Sequence, residues 1–154
     1  MFKKSIEQKI KKIVEEFFKK SSFEVSVEIG KIEDATLPVL IELEEPQVLI
    51  GESGKTLSCI QHILNKGLRK RFGDEKDFYV DLDINGYKKR KLDYLRELAN
   101  TSADDVVFSK KEKELRPMSA YERRIVHIEL KERTDVQTES VGQGLDRRII
   151  VKLA

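Results

Sequence analysis

Two stretches hold side chains whose types and spacing suit the capture of an anion. The first is Gly51-Glu52-Ser53-Gly54-Lys55, reached through the apolar run Val48-Leu49-Ile50. Two glycines three apart let the backbone turn tightly and approach a ligand closely, because no Cβ intervenes. A helix-compatible stretch begins at Lys55, and the unpaired N–H groups at a helix start attract anions, phosphate included. The second stretch is Arg123-Arg124-Ile125-Val126-His127. Arg123 and His127 are four apart, hence neighbours on one helical face, with Arg124 beside them. Arginine offers a rigid fork of donors suited to phosphate, and histidine donates one hydrogen bond when neutral and adds charge when protonated. Two further basic groups, Lys88-Lys89-Arg90-Lys91 and Arg147-Arg148, are candidates to extend such a surface.

Other chemistries fit poorly. Gly54-Lys55-Thr56 resembles the end of a P-loop, but the first glycine of that motif would fall at Leu49. One cysteine (Cys59) and two histidines (His62, His127) cannot build a Cys/His zinc site, and no metal or cofactor is expected. Asp81 and Asp83 are two apart on an alternating segment and read as its solvent face. No Ser/His/Asp or Cys/His arrangement is visible, so no enzymatic turnover is expected.

The elements that must position these groups are legible as periodicity. Ser5 with Gln8 reads as a capping box opening a helix from about Ile6 to Lys20. Phe23, Val25, Val27 and Ile29 alternate with polar residues, as do Val39, Ile41 and Leu43, which predicts two strands able to pair as a hairpin. Pro46 to Ile50 suits one helical turn. Leu57, Ile60, Leu64 and Leu68 then define the buried face of a helix running to about Arg71, ended by Phe72-Gly73-Asp74. Phe78, Val80, Leu82 and Ile84 give a third strand, and Asn85-Gly86 signals a turn, where the boundary is placed. A basic helix over 87–101 follows, with Leu92, Leu95, Leu98 and Ala99 as its stripe. Val106-Val107-Phe108 is a short strand candidate, and Lys110 to Arg116 a charged connector. Ser119 with Glu122 is a second capping box, and Tyr121, Ile125 and Ile128 share one face of the helix it opens. Val136 to Ser140 and Arg147 to Val151 read as a final hairpin across Gly142-Gln143-Gly144.

The whole chain bounds these readings. Its 154 residues suit one compact domain or two small ones. Hydrophobic residues make up 39%, charged ones 38%, and mean hydropathy is −0.49, which describes a charge-rich chain that can still bury a core. No apolar run nears the ~18 residues that a membrane span requires, and no membrane insertion is expected. The lone cysteine excludes an internal disulfide and fits a reducing cytoplasm. Residues 1–84 hold 14 Lys+Arg against 16 Asp+Glu, whereas residues 85–154 hold 16 against 12. The second half is therefore the better electrostatic candidate for a polyanionic partner.

Four segments in register carry a resemblance: LIGESGKTLSCIQHILN, VDLDINGYKKRK, PMSAYERRIVHIEL and TESVGQGLDRRIIV. Residues 1–85 resemble a type II KH domain, whose order is helix-strand-strand-helix-helix-strand with G-x-x-G between the last two helices. Residues 86–154 resemble the domain named for its Arg-x-x-x-His signature, the R-3-H domain. The pairing is similar to the bacterial Jag/KhpB family, here starting at the KH helix without an N-terminal Jag domain.

That resemblance implies an α+β protein that binds single-stranded RNA in the cytoplasm, with single-stranded DNA as the related ligand, and acts as an RNA chaperone or post-transcriptional regulator. A small KH-only protein, or self-association, is the implied protein partner. Gly51, Glu52, Ser53, Gly54 and Lys55 occupy the KH loop and its edge, Arg123 and His127 the signature pair, and Arg147 and Arg148 the later basic positions. Arg124, Lys88, Lys89 and Arg90 are expected to add phosphate contacts. Glu52 puts a carboxylate where phosphate would come closest, so the C-terminal surface is expected to carry the larger electrostatic share. The alternative is an interaction scaffold whose KH half serves dimerisation.

Overall fold

The computed structural model describes residues 2–73 and 77–154 and is a mixed α+β chain with two three-stranded sheets. The chain divides into two compact units, residues 1–88 and 89–154, each with its own core.

The first unit runs α1 (Phe2–Lys20), β1 (Ser26–Ile29), β2 (Thr36–Glu42), α2 (Gln47–Ile50), α3 (Lys55–Phe72) and β3 (Tyr79–Ile84). The backbone of α1 already begins at Phe2, so Ser5 lies inside the helix and does not open it. The cap expected of the Ser5 side chain and the stop expected at Asp74 lie outside the described residues. β1 pairs antiparallel with β2, from Ser26↔Glu42 to Ile29↔Val39. β3 lies parallel to β2, from Thr36↔Tyr79 to Ile41↔Ile84, and the α2–α3 segment makes the crossover that parallel pairing needs. Ile10, Val14 and Phe18 of α1 and Leu57, Ile60, Leu64 and Leu68 of α3 meet the sheet in one core. Asn85 closes the sheet end: its Oδ1 accepts from Leu43 N–H at 3.0 Å, and its Nδ2 donates to Leu43 C=O at 2.8 Å.

α4 (Tyr87–Ser109) begins in the first unit and continues into the second, past the end at residue 101 that the sequence suggested. The strand expected at Val106-Val107-Phe108 is instead its last turn. Ala99, Ala103 and Val106 are buried at helical spacing, and that packing overrides the β-propensity of a Val-Val-Phe run. The charged connector contains a two-residue strand, β4 (Lys113–Glu114). After it come α5 (Ala120–Leu130), β5 (Val136–Val141) and β6 (Arg148–Leu153), forming an antiparallel sheet in the order β4-β6-β5. The Ser119–Glu122 capping box is present. The core face of α5 differs from the expected one. Glu122, Val126 and Leu130 are buried, whereas Tyr121 and Ile128 are 63% and 56% exposed. The helix is rotated about one residue because Glu122 serves as a buried ionic hub.

Candidate nucleic-acid interface

In the first unit, the glycine loop links α2 to α3. Gly51 has φ +70° and Gly54 φ +82°, in the left-handed region where a Cβ is costly. Ser53 shares that region at φ +53°, a strain that persists only where surroundings impose it. A Cβ on Gly51 would lie 2.1 Å from Thr56 Oγ1 and 2.8 Å from Thr56 Cβ, on the first turn of α3. One on Gly54 would lie 2.9 Å from the Tyr87 ring. The loop is thus pressed onto the helix it precedes, and Tyr87 supports it from below. Gly51→Ala is expected to cost about 1–3 kcal/mol of stability, read as a lowered urea midpoint. A midpoint equal to that of the unmodified protein would contradict this packing account.

The N-cap residue of α3, an 18-residue helix, is Gly54, which makes no side-chain cap, and the positive end of the helix faces the loop. Glu52 and Lys55 form an i,i+3 ion pair at 3.4 Å, with side chains 85% and 68% exposed. Such a pair contributes little and is easily exchanged for another partner.

Lys88 is half-buried and already engaged within the first unit. Its Nζ donates to Asp81 and, at 2.9 Å, to Gln61 Oε1. Asp83 Oδ1 also accepts from the Lys88 backbone N–H at 3.1 Å and caps the start of α4. Asp81 and Asp83 are therefore half-buried structural partners of that basic run. Lys91 is similarly committed, to Glu122 at 3.0 Å. Lys89 and Arg90 remain exposed.

In the second unit, β5 gathers part of the predicted surface. His127 Nδ1 shares a hydrogen bond with Thr138 Oγ1 at 2.6 Å. Arg147 Nε donates to Ser140 Oγ at 3.0 Å. Thr138 and Ser140 are two apart on one face of β5, about 7 Å along the strand. Arg123 Nη1 donates to Met118 C=O at 2.7 Å, and Met118 N–H donates to Arg147 C=O at 3.1 Å. Arg123, His127 and Arg147 are thus tied to one another through two short relays. Burial, aided by the Arg123 charge, pushes the His127 imidazole below its ordinary value. The neutral imidazole is thereby favoured, and the positive charge of this surface comes from the arginines.

Arg148 does not join them. Strand alternation puts it on the opposite face of the sheet, where Nη1 meets Glu114 at 3.2 Å. Arg124 is exposed on another side of α5.

Two sets of contacts escaped sequence reasoning. Glu122, only 2% exposed, binds Lys91, Arg116 and the Ser119 N–H. Gln61 and Asn65 of α3 cap the free edge of β3: Asn65 Oδ1 accepts from Val80 N–H at 2.9 Å, Asn65 Nδ2 donates to Val80 C=O at 2.8 Å, and Gln61 Oε1 accepts from Leu82 N–H at 2.9 Å. A polar i,i+4 pair beside the apolar stripe of α3 was the available signal for the second set.

The R-3-H domain family matches residues 93–153. RNA-binding protein KhpB of Clostridium symbiosum is 30% identical over 153 residues, covering 98% of this chain and 68% of that protein. RNA-binding protein KhpB of Bacillus subtilis is 31% identical over 110 residues, covering 70% of this chain and 52% of its own length. For RNA-binding protein KhpB of Streptococcus pneumoniae the identity is 29% over 111 residues, covering 72% of this chain and 33% of the relative. The signature pair and its Thr138 and Ser140 supports fall within the domain match, and the alignment to the clostridial relative runs through the glycine loop as well: the chain belongs to the KhpB family.

Proposed function

We propose that this protein binds single-stranded RNA without catalysing a reaction, through two separate surfaces, one on each unit. The observation that carries the reading is the assembly of Arg123, His127 and Arg147 around β5, since two cationic forks beside a neutral imidazole suit a phosphate backbone. The relatives, all RNA-binding proteins, support it. In the first unit the element order and the paired left-handed glycines support a type II KH domain, whose loop would clamp sugar-phosphate against the open start of α3. Among the described residues no helix is long and apolar enough to cross a membrane. A cytoplasmic RNA chaperone or post-transcriptional regulator, with a KH-only protein or a second copy as partner, is the biological setting we infer from the family.

The test is anisotropy titration of labelled oligouridylate at two salt concentrations. Micromolar binding that weakens with salt is expected, with a slope that counts the phosphates neutralised. No binding at low salt would sink the reading and favour an interaction scaffold. Glu52→Lys is expected to tighten binding severalfold at low salt and little at high salt, because it removes the loop carboxylate and adds a cation. Unchanged low-salt affinity would mean that the glycine loop does not touch RNA.

A further inference from the structure

The His127 ring is half-buried, and among the described residues its hydrogen-bond partner is the Thr138 hydroxyl, with Nδ1 and Oγ1 2.6 Å apart. Burial and the Arg123 charge both disfavour the imidazolium. A neutral imidazole has one proton for two nitrogens, so the bond to Thr138 decides what the other nitrogen offers. If Nδ1 holds the proton and donates it to Thr138, Nε2 presents a lone pair. If the Thr138 hydroxyl donates to Nδ1, the proton stays on Nε2, which presents a donor. The two arrangements suit different groups of a nucleic acid. A phosphodiester oxygen only accepts, whereas a ribose 2′-hydroxyl also donates.

Three observations favour donation by the hydroxyl. The 2.6 Å separation falls within the range of hydroxyl donors and below the usual range of N–H donors. Arg123 and Arg147 are tied to the same site through Met118 and Ser140, and their charge draws an anion that a bare lone pair would repel. Thr138 is also held in place: its backbone pairs with Val151 in the β5–β6 ladder, and β-branching restricts its χ1. Ser140, two residues on, plays the opposite part. It accepts from Arg147 Nε, since a guanidinium can only donate.

We propose that Thr138 is a positioning residue for phosphate capture: its hydroxyl donates to His127 Nδ1, keeps the ring proton on Nε2, and so makes the neutral imidazole a donor to a phosphate oxygen. This rests on the RNA-binding reading of the second unit. Arg123, His127 and Arg147 then present donors alone, so the surface grips the phosphate backbone and ignores the 2′-hydroxyl. Thr138 touches no RNA and acts only through His127.

The test joins a spectrum to a double-mutant cycle, both in the full chain. Above the usual histidine pKa, the His127 nitrogen resonances of the unmodified protein are expected to show Nδ1 bare and Nε2 protonated. The reverse assignment would overturn the proposal. Thr138→Val keeps the β-branched shape without the hydroxyl. It is expected to weaken labelled oligouridylate about fivefold, the net worth of one hydrogen bond, and to leave the salt slope unchanged because no charge is lost. Thr138→Ser restores the hydroxyl and is expected to bind within about twofold of the unmodified protein. In a His127→Ala background, Thr138→Val is expected to cost nothing further. An equal loss in that background would mean that Thr138 merely supports the strand, and the proposal would be wrong. Oligouridylate and its 2′-deoxy counterpart are expected to lose affinity by the same factor. A loss confined to the RNA would mean that Nε2 accepts from the 2′-hydroxyl, so the proposal would fall while the RNA-binding reading stands. If the unmodified protein binds neither strand at low salt, that reading itself fails.

Discussion

Replacing Glu122 by alanine is expected to destabilise the second unit by about 3–5 kcal/mol, the usual consequence of removing one member of a buried ion pair. Its carboxylate is 2% exposed and meets Lys91 Nζ at 3.0 Å and Arg116 Nη2 at 3.4 Å. It also takes the Ser119 N–H at 2.7 Å, while the Ser119 hydroxyl accepts from the Glu122 N–H at 3.3 Å. Alanine would leave Lys91, 16% exposed, without its carboxylate, and would undo half of the capping box. In a small domain a loss of this size consumes most of the stability. Amide exchange along α5 and β5 of the full chain measures it, and a change below about 1 kcal/mol would refute the hub.

The same residue sets an acid limit. Burial alone would raise the Glu122 carboxyl, but the Ser119 backbone N–H, Lys91 and the Ser119 side chain together bring it below the ordinary glutamate value. Its contribution is therefore fully present above that ordinary value and is lost as pH falls through the lower folded one. Glu122→Gln is expected to flatten this acid limb of the stability profile.

Arg147→Ala is expected to weaken RNA binding about tenfold and to reduce the salt slope by about one. Arg147 is exposed and bonded through Nε to Ser140, so its loss leaves the core intact. Arg123→Ala should weaken binding at least as much, since it also frees the carbonyl of Met118, whose N–H donates to the Arg147 carbonyl. Arg148→Ala is the discriminating control. Arg148 sits on the other face of the sheet and is already paired with Glu114, so its effect is expected to stay within about twofold. Equal losses from Arg147→Ala and Arg148→Ala would mean that the face assignment does not govern binding.

Much of this fold was readable as periodicity. Leu57, Ile60, Leu64 and Leu68 marked the buried side of α3, and the alternation from Phe78 to Ile84 marked β3. The errors came where tertiary packing outweighed local preference. Val106 to Phe108 has strand-like composition, yet Ala99, Ala103 and Val106 complete one helical face against the second core. In α5 the apolar residues Tyr121 and Ile128 suggested one face, but an ionic cluster around Glu122 turned another inward. A buried carboxylate cannot be recognised from its own position, because its partners Lys91 and Arg116 are remote in sequence.

By itself the sequence determined which groups could do the chemistry: the glycines that permit a left-handed turn, the Arg123–His127 spacing on one helical face, and an acid-free, basic α3. Those properties are local and follow from residue type and helix geometry. Tertiary structure decided which groups act together. Pairing of β5 with β6 put Arg147 on the same face as the Thr138 that bonds His127 and sent Arg148 to the opposite face, because successive strand residues alternate sides. The Asp81 and Gln61 contacts engage the Lys88 Nζ within the first unit. Burial lowers the His127 pKa, because desolvation penalises the charged imidazole. Such assignments depend on contacts between distant segments, and residue spacing alone carries no record of them.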